Sequence, residues 1–351
     1  MGYLLYTGRF QPFHEGHAQL MKSAIIKYPN LKPLVSIDIR NKDKSNPYSF
    51  EYRQMMVKQF LSEVEIISHD TSKIIGGLEK MYDRLNIICS KVGISNIKTL
   101  VVGPDYPKEA RRFWLDKGCK VFAPSKRFNS GLSGTELRQR GISIITNFGC
   151  KYKCKFCIWK NHPLNKTIAP TDWNKLELFL KENAYKQKVS ISGGGDPLYN
   201  IENSSKTVNW WKKLISITKK NDLKVAVHTR EKIYNTEFWT NLHRCSLSSD
   251  NLSKEQEYIE YLSNIVNVRL VRVIDHSITE KIVQNYIEFC IKHNIQLTFK
   301  QLVAKQNQDK KYFRLKKQYG HENLGLIKFL DSGDYNLYYM PDNTIRSVYK
   351  W

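Results

Sequence analysis

Residues 3–17 read YLLYTGRFQPFHEGH. The first eight, YLLYTGRF, are rich in aromatic and apolar side chains and suit a β-strand. A turn follows, and HAQLMKSAIIKYP (17–29) then sets apolar residues at helical spacing. The stretch is a strand feeding a helix, the opening of a βα unit. Downstream the unit repeats. KPLVSIDIR (32–40), VEIISHD (64–70), KTLVVGPDY (98–106) and CKVFAPS (119–125) read as strands. SFEYRQMMVKQFLSE (49–63), GLEKMYDRLNIICSKV (77–92) and PKEARRFWLDKG (107–118) read as the helices between them. Alternation of this kind predicts an α/β fold with a doubly wound parallel sheet.

After Gly141 the alternation restarts. ISIITNFGC (142–150), KVSISGGGDPL (188–198), LKVAVHTR (223–230), RCSLSSD (244–250), VNVRLVRVI (266–274) and IQLTFKQLV (295–303) read as strands, with helical stretches such as DWNKLELFLKENAY (172–185) between them. Six strand–helix units predict a partial (β/α)6 barrel, with ligands at the C-terminal ends of its strands. The chain therefore divides into domains 1–141 and 142–351 with almost no linker. It holds no internal repeat and no low-complexity segment.

With 351 residues, 41% apolar and 25% charged, the chain has the composition of a globular protein that buries two cores. No apolar run is long enough to cross a bilayer. The N-terminus has neither a basic leader nor a small-residue cleavage site, so a cytoplasmic protein without membrane contact is expected. The net charge of +23 favours anionic substrates and permits nucleic-acid contact. It is spread along the chain in runs such as KKLISITKKNDLK and marks no particular site. A lysine-rich coding bias accounts for it equally well.

GRFQPFHEGH (8–17) joins the first strand to the first helix. Gly8 permits a tight turn, and Gly16 lets a phosphate approach the backbone. His14 and His17, three residues apart, share one face of the helix start and could hydrogen-bond phosphate oxygens during an in-line transfer. LSGTELR (132–138) follows the last strand of this domain. Ser133 and Glu136 suit a capping box, and a helix start carrying Ser133, Thr135 and Arg138 is also an anion site. In this order the two motifs resemble those of the HxGH nucleotidylyltransferase superfamily, above all its nicotinamide-nucleotide adenylyltransferase-like members, with Leu132 for the usual Ile. The resemblance covers roughly residues 1–140. It implies transfer from an NTP, ATP in the first instance, with Mg²⁺ and release of pyrophosphate. His14, His17 and Arg138 would be catalytic, and Gly8, Arg9, Gly16, Ser133 and Thr135 would bind the nucleotide. Arg40, Asn46 and Arg53 lie where such proteins place an acceptor loop, although solvated loop and helix residues read the same way.

CKYKCKFC (150–157) packs three of the seven cysteines into eight positions. Cys89, Cys119, Cys245 and Cys290 are isolated and read as buried structural thiols. Structural zinc takes four closed ligands, and no fourth thiol or imidazole stands beside Cys150, Cys154 and Cys157. Three thiolates can instead hold a [4Fe–4S] cluster with one iron open. The CxxxCxxC spacing, with Phe156 before the last cysteine, resembles the radical S-adenosylmethionine signature. SGGGDPL (192–198) is similar to that family's GGE-type motif, with Asp196 for Glu and one extra glycine. The resemblance spans residues 142 to roughly 305. It implies that Gly194, Gly195 and Asp196 bind S-adenosylmethionine, and that an external one-electron reductant of the flavodoxin or ferredoxin type is needed. Ser248 and Asp250 could touch cofactor or substrate, though they also read as turn residues. Arg230 and Lys300, near strand ends, could bind a carboxylate or an anionic substrate.

The expectation is a bifunctional enzyme acting on a small-molecule or nucleotide substrate. Two alternatives stay open: tRNA or DNA modification with an accessory nucleotidyl domain, and a non-catalytic sensor of nucleotide and zinc.

Overall fold

The computed structural model describes residues 2–39, 43, 46–74, 80–104, 106–124, 134–152, 154, 157, 169–275, 277–301, 309–320, 326–331 and 336–346. The side chains of 134–136 and 309 lie outside that description. Contacts divide the chain into two compact units, one built on Met1–Arg140 and the other on Gly141–Thr344.

The first unit runs β1 (Tyr3–Gly8), α1 (Glu15–Lys27), β2 (Lys32–Ile39), α2 (Phe50–Phe60), β3 (Glu65–Asp70), α3 (Met81–Val92), β4 (Ile97–Val101), α4 (Lys108–Asp116), β5 (Lys120–Phe122) and α5 (Gly134–Gln139). Its sheet has the order β3-β2-β1-β4-β5, and every pair in it is parallel. β1 is central, which is why Leu4 and Leu5 are both fully buried. Leu5 joins Leu34, Leu85, Leu100 and Trp114 in one core cluster. α1 sinks Ala18, Leu20, Met21 and Ala24, the helical stripe legible in its sequence. α2 starts where the Ser49 side chain accepts the Tyr52 amide at 3.2 Å. α3 stops at Gly93, whose φ of 81° suits glycine. The strand order reverses between β1 and β4. The crevice beyond their C-terminal ends is where an open α/β sheet receives ligands.

The second unit runs β6 (Gly141–Thr146), α6 (Trp173–Glu182), β7 (Lys188–Gly193), α7 (Ser205–Lys220), β8 (Lys224–Thr229), α8 (Thr236–Thr240), β9 (Arg244–Ser248), α9 (Leu252–Ser263), β10 (Asn267–Ile274), α10 (Glu280–Lys292), β11 (Gln296–Gln301), α11 (Asp309–Tyr319), β12 (Ile327–Leu330) and β13 (Asn336–Tyr339). β6 to β12 lie side by side in sequence order, all parallel, and β13 joins β6 on its other side, also parallel. Six strands were legible in the sequence. β12 and β13 were not, because four residues each are too few to display a period. Right-handed crossovers between strands that never reverse order put the helices on one face of the sheet. Val189, Ile191, Val225, Val227, Leu247, Leu270, Leu297 and Phe299 bury that face. The alternate positions, Ser190, Ser192, His228, Ser246, Arg269, Thr298 and Lys300, form the opposite, polar face.

Candidate functional site

In the first unit the chain turns sharply after Gly8. A Cβ there would lie 3.1 Å from the Phe10 ring, and Phe10 itself sits at φ 49°. That strained position is held by packing. Phe10 meets Tyr6 and Phe13 with ring centroids 5.0 and 5.3 Å apart. Phe10 and Phe13 each stand 5.3 Å from the His17 ring. His14 is the N-cap of α1, in extended backbone. Its backbone N–H donates to His17 Nδ1 at 3.2 Å, and the two imidazoles stack at 3.7 Å.

An Nδ1 that accepts a hydrogen bond carries no proton, so neutral His17 keeps its hydrogen on Nε2. Burial drives the His17 pKa well below the ordinary value, with the neighbouring His14 adding to it. Burial lowers His14 to about 4. At neutral pH both rings are uncharged, and His17 offers an N–H donor rather than a cation.

Arg138, in the last turn of α5, donates through Nη1 to the Gln11 carbonyl and so brings the second motif against the first. The Gln11 side chain is buried and grips Tyr48 twice, accepting its amide at 3.0 Å and donating to its carbonyl at 3.3 Å. Gly16 is the second residue of α1, and Arg9 is exposed. Ser133, Phe156 and Arg40 lie outside the described residues, as does the Thr135 side chain.

The solvated reading of Arg53 and Asn46 is overturned. Arg53 is 1% exposed and donates to the carbonyls of Arg9 and Asp38, both at 2.7 Å, and of Ser49 at 3.0 Å. Carbonyls at a sheet's C-terminal edge have no ladder partner, and a guanidinium fork satisfies several of them at once. Asn46 is buried against Asp43, its amide donating to Oδ1 at 2.8 Å.

In the second unit, Cys150 opens the loop that follows β6. The Gly-rich end of β7 packs onto the base of that loop. The Gly194 amide donates to the Thr146 carbonyl and the Asp196 amide to the Gly149 carbonyl, both at 2.8 Å. A Cβ on Gly195 would fall 2.2 Å from the Gly149 oxygen, so only glycine fits. Asp196 is 5% exposed. Its carboxylate accepts from Thr229 Oγ1 at 2.6 Å, the Arg230 amide at 2.7 Å and the Leu198 amide at 2.9 Å. Burial nonetheless raises its pKa. Asp196 therefore ties the end of β7 to the end of β8, beneath the cysteine loop.

The three cysteines are half-buried free thiols. The Cys157 amide donates to the Cys154 carbonyl at 3.1 Å. Burial raises the Cys150 pKa, with Asp196, Cys154 and Cys157 contributing. Arg230 Nη1 reaches Cys154 Sγ at 2.8 Å, and its Nη2 pairs with Asp250 at 2.6 Å. Arg272, 5% exposed, holds the other Asp250 oxygen at 2.7 Å. Asp250 is thus the bridge of an Arg–Asp–Arg relay and not a plain turn residue. Only an arginine inside the apolar run of β10 hinted at this.

Among the described residues no three His, Cys, Asp or Glu side chains stand in ligating geometry. The donor set still suits an iron–sulfur cluster in type: three thiols on one loop, Arg230 aimed at one sulfur, and the buried Asn147 Oδ1 at the loop base without a hydrogen-bond partner among the described residues. Ser248 ends β9 half-buried on the polar face, and Lys300 lies on the same face of β11.

Residues 5–140 match the family described as Cytidylyltransferase-like, in line with the nucleotidylyltransferase resemblance of the first domain. The nicotinamide-nucleotide adenylyltransferase 1 of Sulfolobus acidocaldarius is 35% identical over 71 residues, which are 20% of this chain and 39% of that protein. The match thus spans about two fifths of that relative. Streptococcus suis SuiB, solved bound to S-adenosylmethionine, is similar at 13% identity over 77% of this chain and 71% of its own, with a TM-score of 0.44. A bifunctional NMN adenylyltransferase/ADP ribose pyrophosphatase of Francisella tularensis, complexed with AMP and a manganese ion, is 20% identical over 40% of this chain and 41% of its own, with a TM-score of 0.28. At such scores neither structural likeness bears on the chemistry. What the comparisons establish is a chain similar to cytidylyltransferase-like proteins over residues 5–140.

Proposed function

We propose that the chain is a bifunctional enzyme, a nucleotidylyltransferase fused to a radical S-adenosylmethionine enzyme. One observation carries the reading. In each unit two motifs distant in sequence meet at the C-terminal ends of parallel strands: Arg138 on Gln11 in the first, Asp196 on Gly149 in the second.

In the first unit an NTP, ATP in the first instance, would set its phosphates at the start of α1. His17 donates Nε2–H to charge developing on a phosphoryl oxygen. Held in place by His14 and the aromatic cage, it needs no reorientation as the transition state forms. Arg138 adds positive charge on the same side, and Mg²⁺ would accompany the NTP. The Sulfolobus relative, a nicotinamide-nucleotide adenylyltransferase by name, supports an adenylyl donor and a nucleotide acceptor.

In the second unit Cys150, Cys154 and Cys157 would hold a [4Fe–4S] cluster, and the backbone from Gly194 to Asp196 would lie beside S-adenosylmethionine. A reduced cluster of this kind supplies the one electron that splits S-adenosylmethionine into methionine and a 5′-deoxyadenosyl radical. The chain's own residues position and insulate. Arg230, in contact with Cys154 Sγ, would offset the negative charge of that sulfur as a cluster ligand, and the Asp250–Arg272 pair keeps its guanidinium from swinging away.

Single-site variants test both halves. With ATP, S-adenosylmethionine, dithionite and a cell metabolite extract under anaerobic conditions, mass spectrometry should find 5′-deoxyadenosine, pyrophosphate and an altered small molecule. Cys150→Ala should lose only the first product and His17→Ala only the second. Loss of neither product in its own variant would refute the assignment of that half.

A further inference from the structure

The polar face of the second sheet gathers cations that the chemistry above does not use. Arg269 on β10 and His228 on β8 both register against Ser246 of β9. Arg244 lies two residues before Ser246, on the same face. Lys300 registers against Val273, again on that face. All four side chains are half-buried. Among the described residues Arg269 donates to a neutral acceptor, Gln296 Oε1 at 3.4 Å.

The influences on these groups are burial and one another. Burial, then Lys300, Arg269 and Arg244, lowers His228 to about 3. Burial, then Arg269, lowers Lys300; burial, then Arg244, lowers Arg269. Like charges drawn together and partly stripped of water are unfavourable unless something of opposite sign joins them. A cavity of about 650 Å³ opens beside Arg269 and Thr298, walled by Phe313, Lys316 and Lys317 of α11 and by Lys328 of β12; Lys300 lies outside its wall. That volume fits a small molecule. Nucleic acid would instead require an exposed basic stripe, and these cations are half-buried on strands.

We propose that this face binds the phosphate-bearing part of a small-molecule anion through Arg269 and Lys300. Calling that anion the substrate of the radical step rests on the function proposed above; its binding does not.

The test uses the full-length protein, without S-adenosylmethionine or reductant, and inorganic pyrophosphate as the probe. Calorimetric titration should resolve two binding events, one in each unit. The Arg269→Gln/Lys300→Gln double variant should weaken one event by about tenfold or more, the loss expected for charge-assisted hydrogen bonds. Arg138→Gln should weaken only the other. Without pyrophosphate the double variant should unfold at a higher temperature than the wild type, because an unpaired charge is gone. Should the double variant misfold, Lys300→Gln alone carries the same two readouts. Retention of both binding events, or a lower unfolding temperature with an unchanged pyrophosphate shift, overturns the proposal. Displacement of the second pyrophosphate by a single-stranded oligonucleotide, with loss in the same variants, would make the ligand nucleic acid and overturn the small-molecule assignment. Failure to form 5′-deoxyadenosine while this binding persists would count against the radical reading alone.

Discussion

Both sheets are parallel, yet they make a site in different ways. In the first unit the order β3-β2-β1-β4-β5 reverses at β1, so the loop between β1 and α1 opens into a crevice between diverging connections. In the second unit β6 to β12 follow one another without a reversal. The polar face and the loops at the strand ends supply the site instead. The difference shows in the side chains. His14 and His17 are neutral rings braced by aromatic packing. The residues around Cys150 are a charged relay of Arg230, Asp250 and Arg272, with buried Asp196 beneath. One site sets neutral rings beside a single guanidinium, and the other is a chain of ions.

If that contrast is right, the two units should fail differently. The largest effect is expected in the second. Replacing Cys150, Cys154 or Cys157 by Ala should abolish 5′-deoxyadenosine formation, while pyrophosphate release continues at the wild-type rate. Coupled loss of both products would show that the units are not chemically separate.

Next in size, His17→Ala should slow nucleotidyl transfer by about 10²–10³-fold, the usual cost of removing one preorganised donor. NTP affinity should change little. Equal losses in binding and turnover would make His17 a ground-state contact.

Asp196→Ala should act on stability as well as chemistry. It strands three donors that the carboxylate now satisfies, at a cost of about 2 kcal/mol or more in unfolding free energy. Denaturant unfolding reads this directly. A variant as stable as the wild type would mean that β7 and β8 do not depend on this tie.

The smallest expected effect is the share of the acid-side pH dependence that His14 contributes. His14 binds its proton less readily folded, at about 4, than unfolded, near 6.5. Between those values the unfolded chain holds more protons, so stability is full above about pH 6.5 and declines as pH falls towards 4. His14→Gln should flatten that decline in thermal unfolding. An identical slope in the variant would mean that the ring is not desolvated.

The sequence exposed one kind of feature and hid another. Alternation marked eleven of the strands and most helices, because all of these strands but β5 run to five or more residues and display a period. The ordered motif pairs were equally plain, since His14, His17, the three cysteines and the Gly193–Asp196 run are local patterns. Contacts between distant elements were hidden. Arg53 reads as one arginine in a polar helix, and only the fold reveals that it binds backbone carbonyls 15 and 44 residues away. Asp250 reads as a turn residue until Arg230 and Arg272 arrive from neighbouring strands. The cations Arg244, Arg269 and Lys300 are scattered over three strands, and only the register places them on one face.

The most direct test of the central claim is the composition and reactivity of the second unit's thiol loop. Protein reconstituted anaerobically with iron and sulfide should hold about four of each per chain. Reduced in the presence of S-adenosylmethionine, it should release 5′-deoxyadenosine. Zinc bound without sulfide, and no cleavage on reduction, would contradict the account.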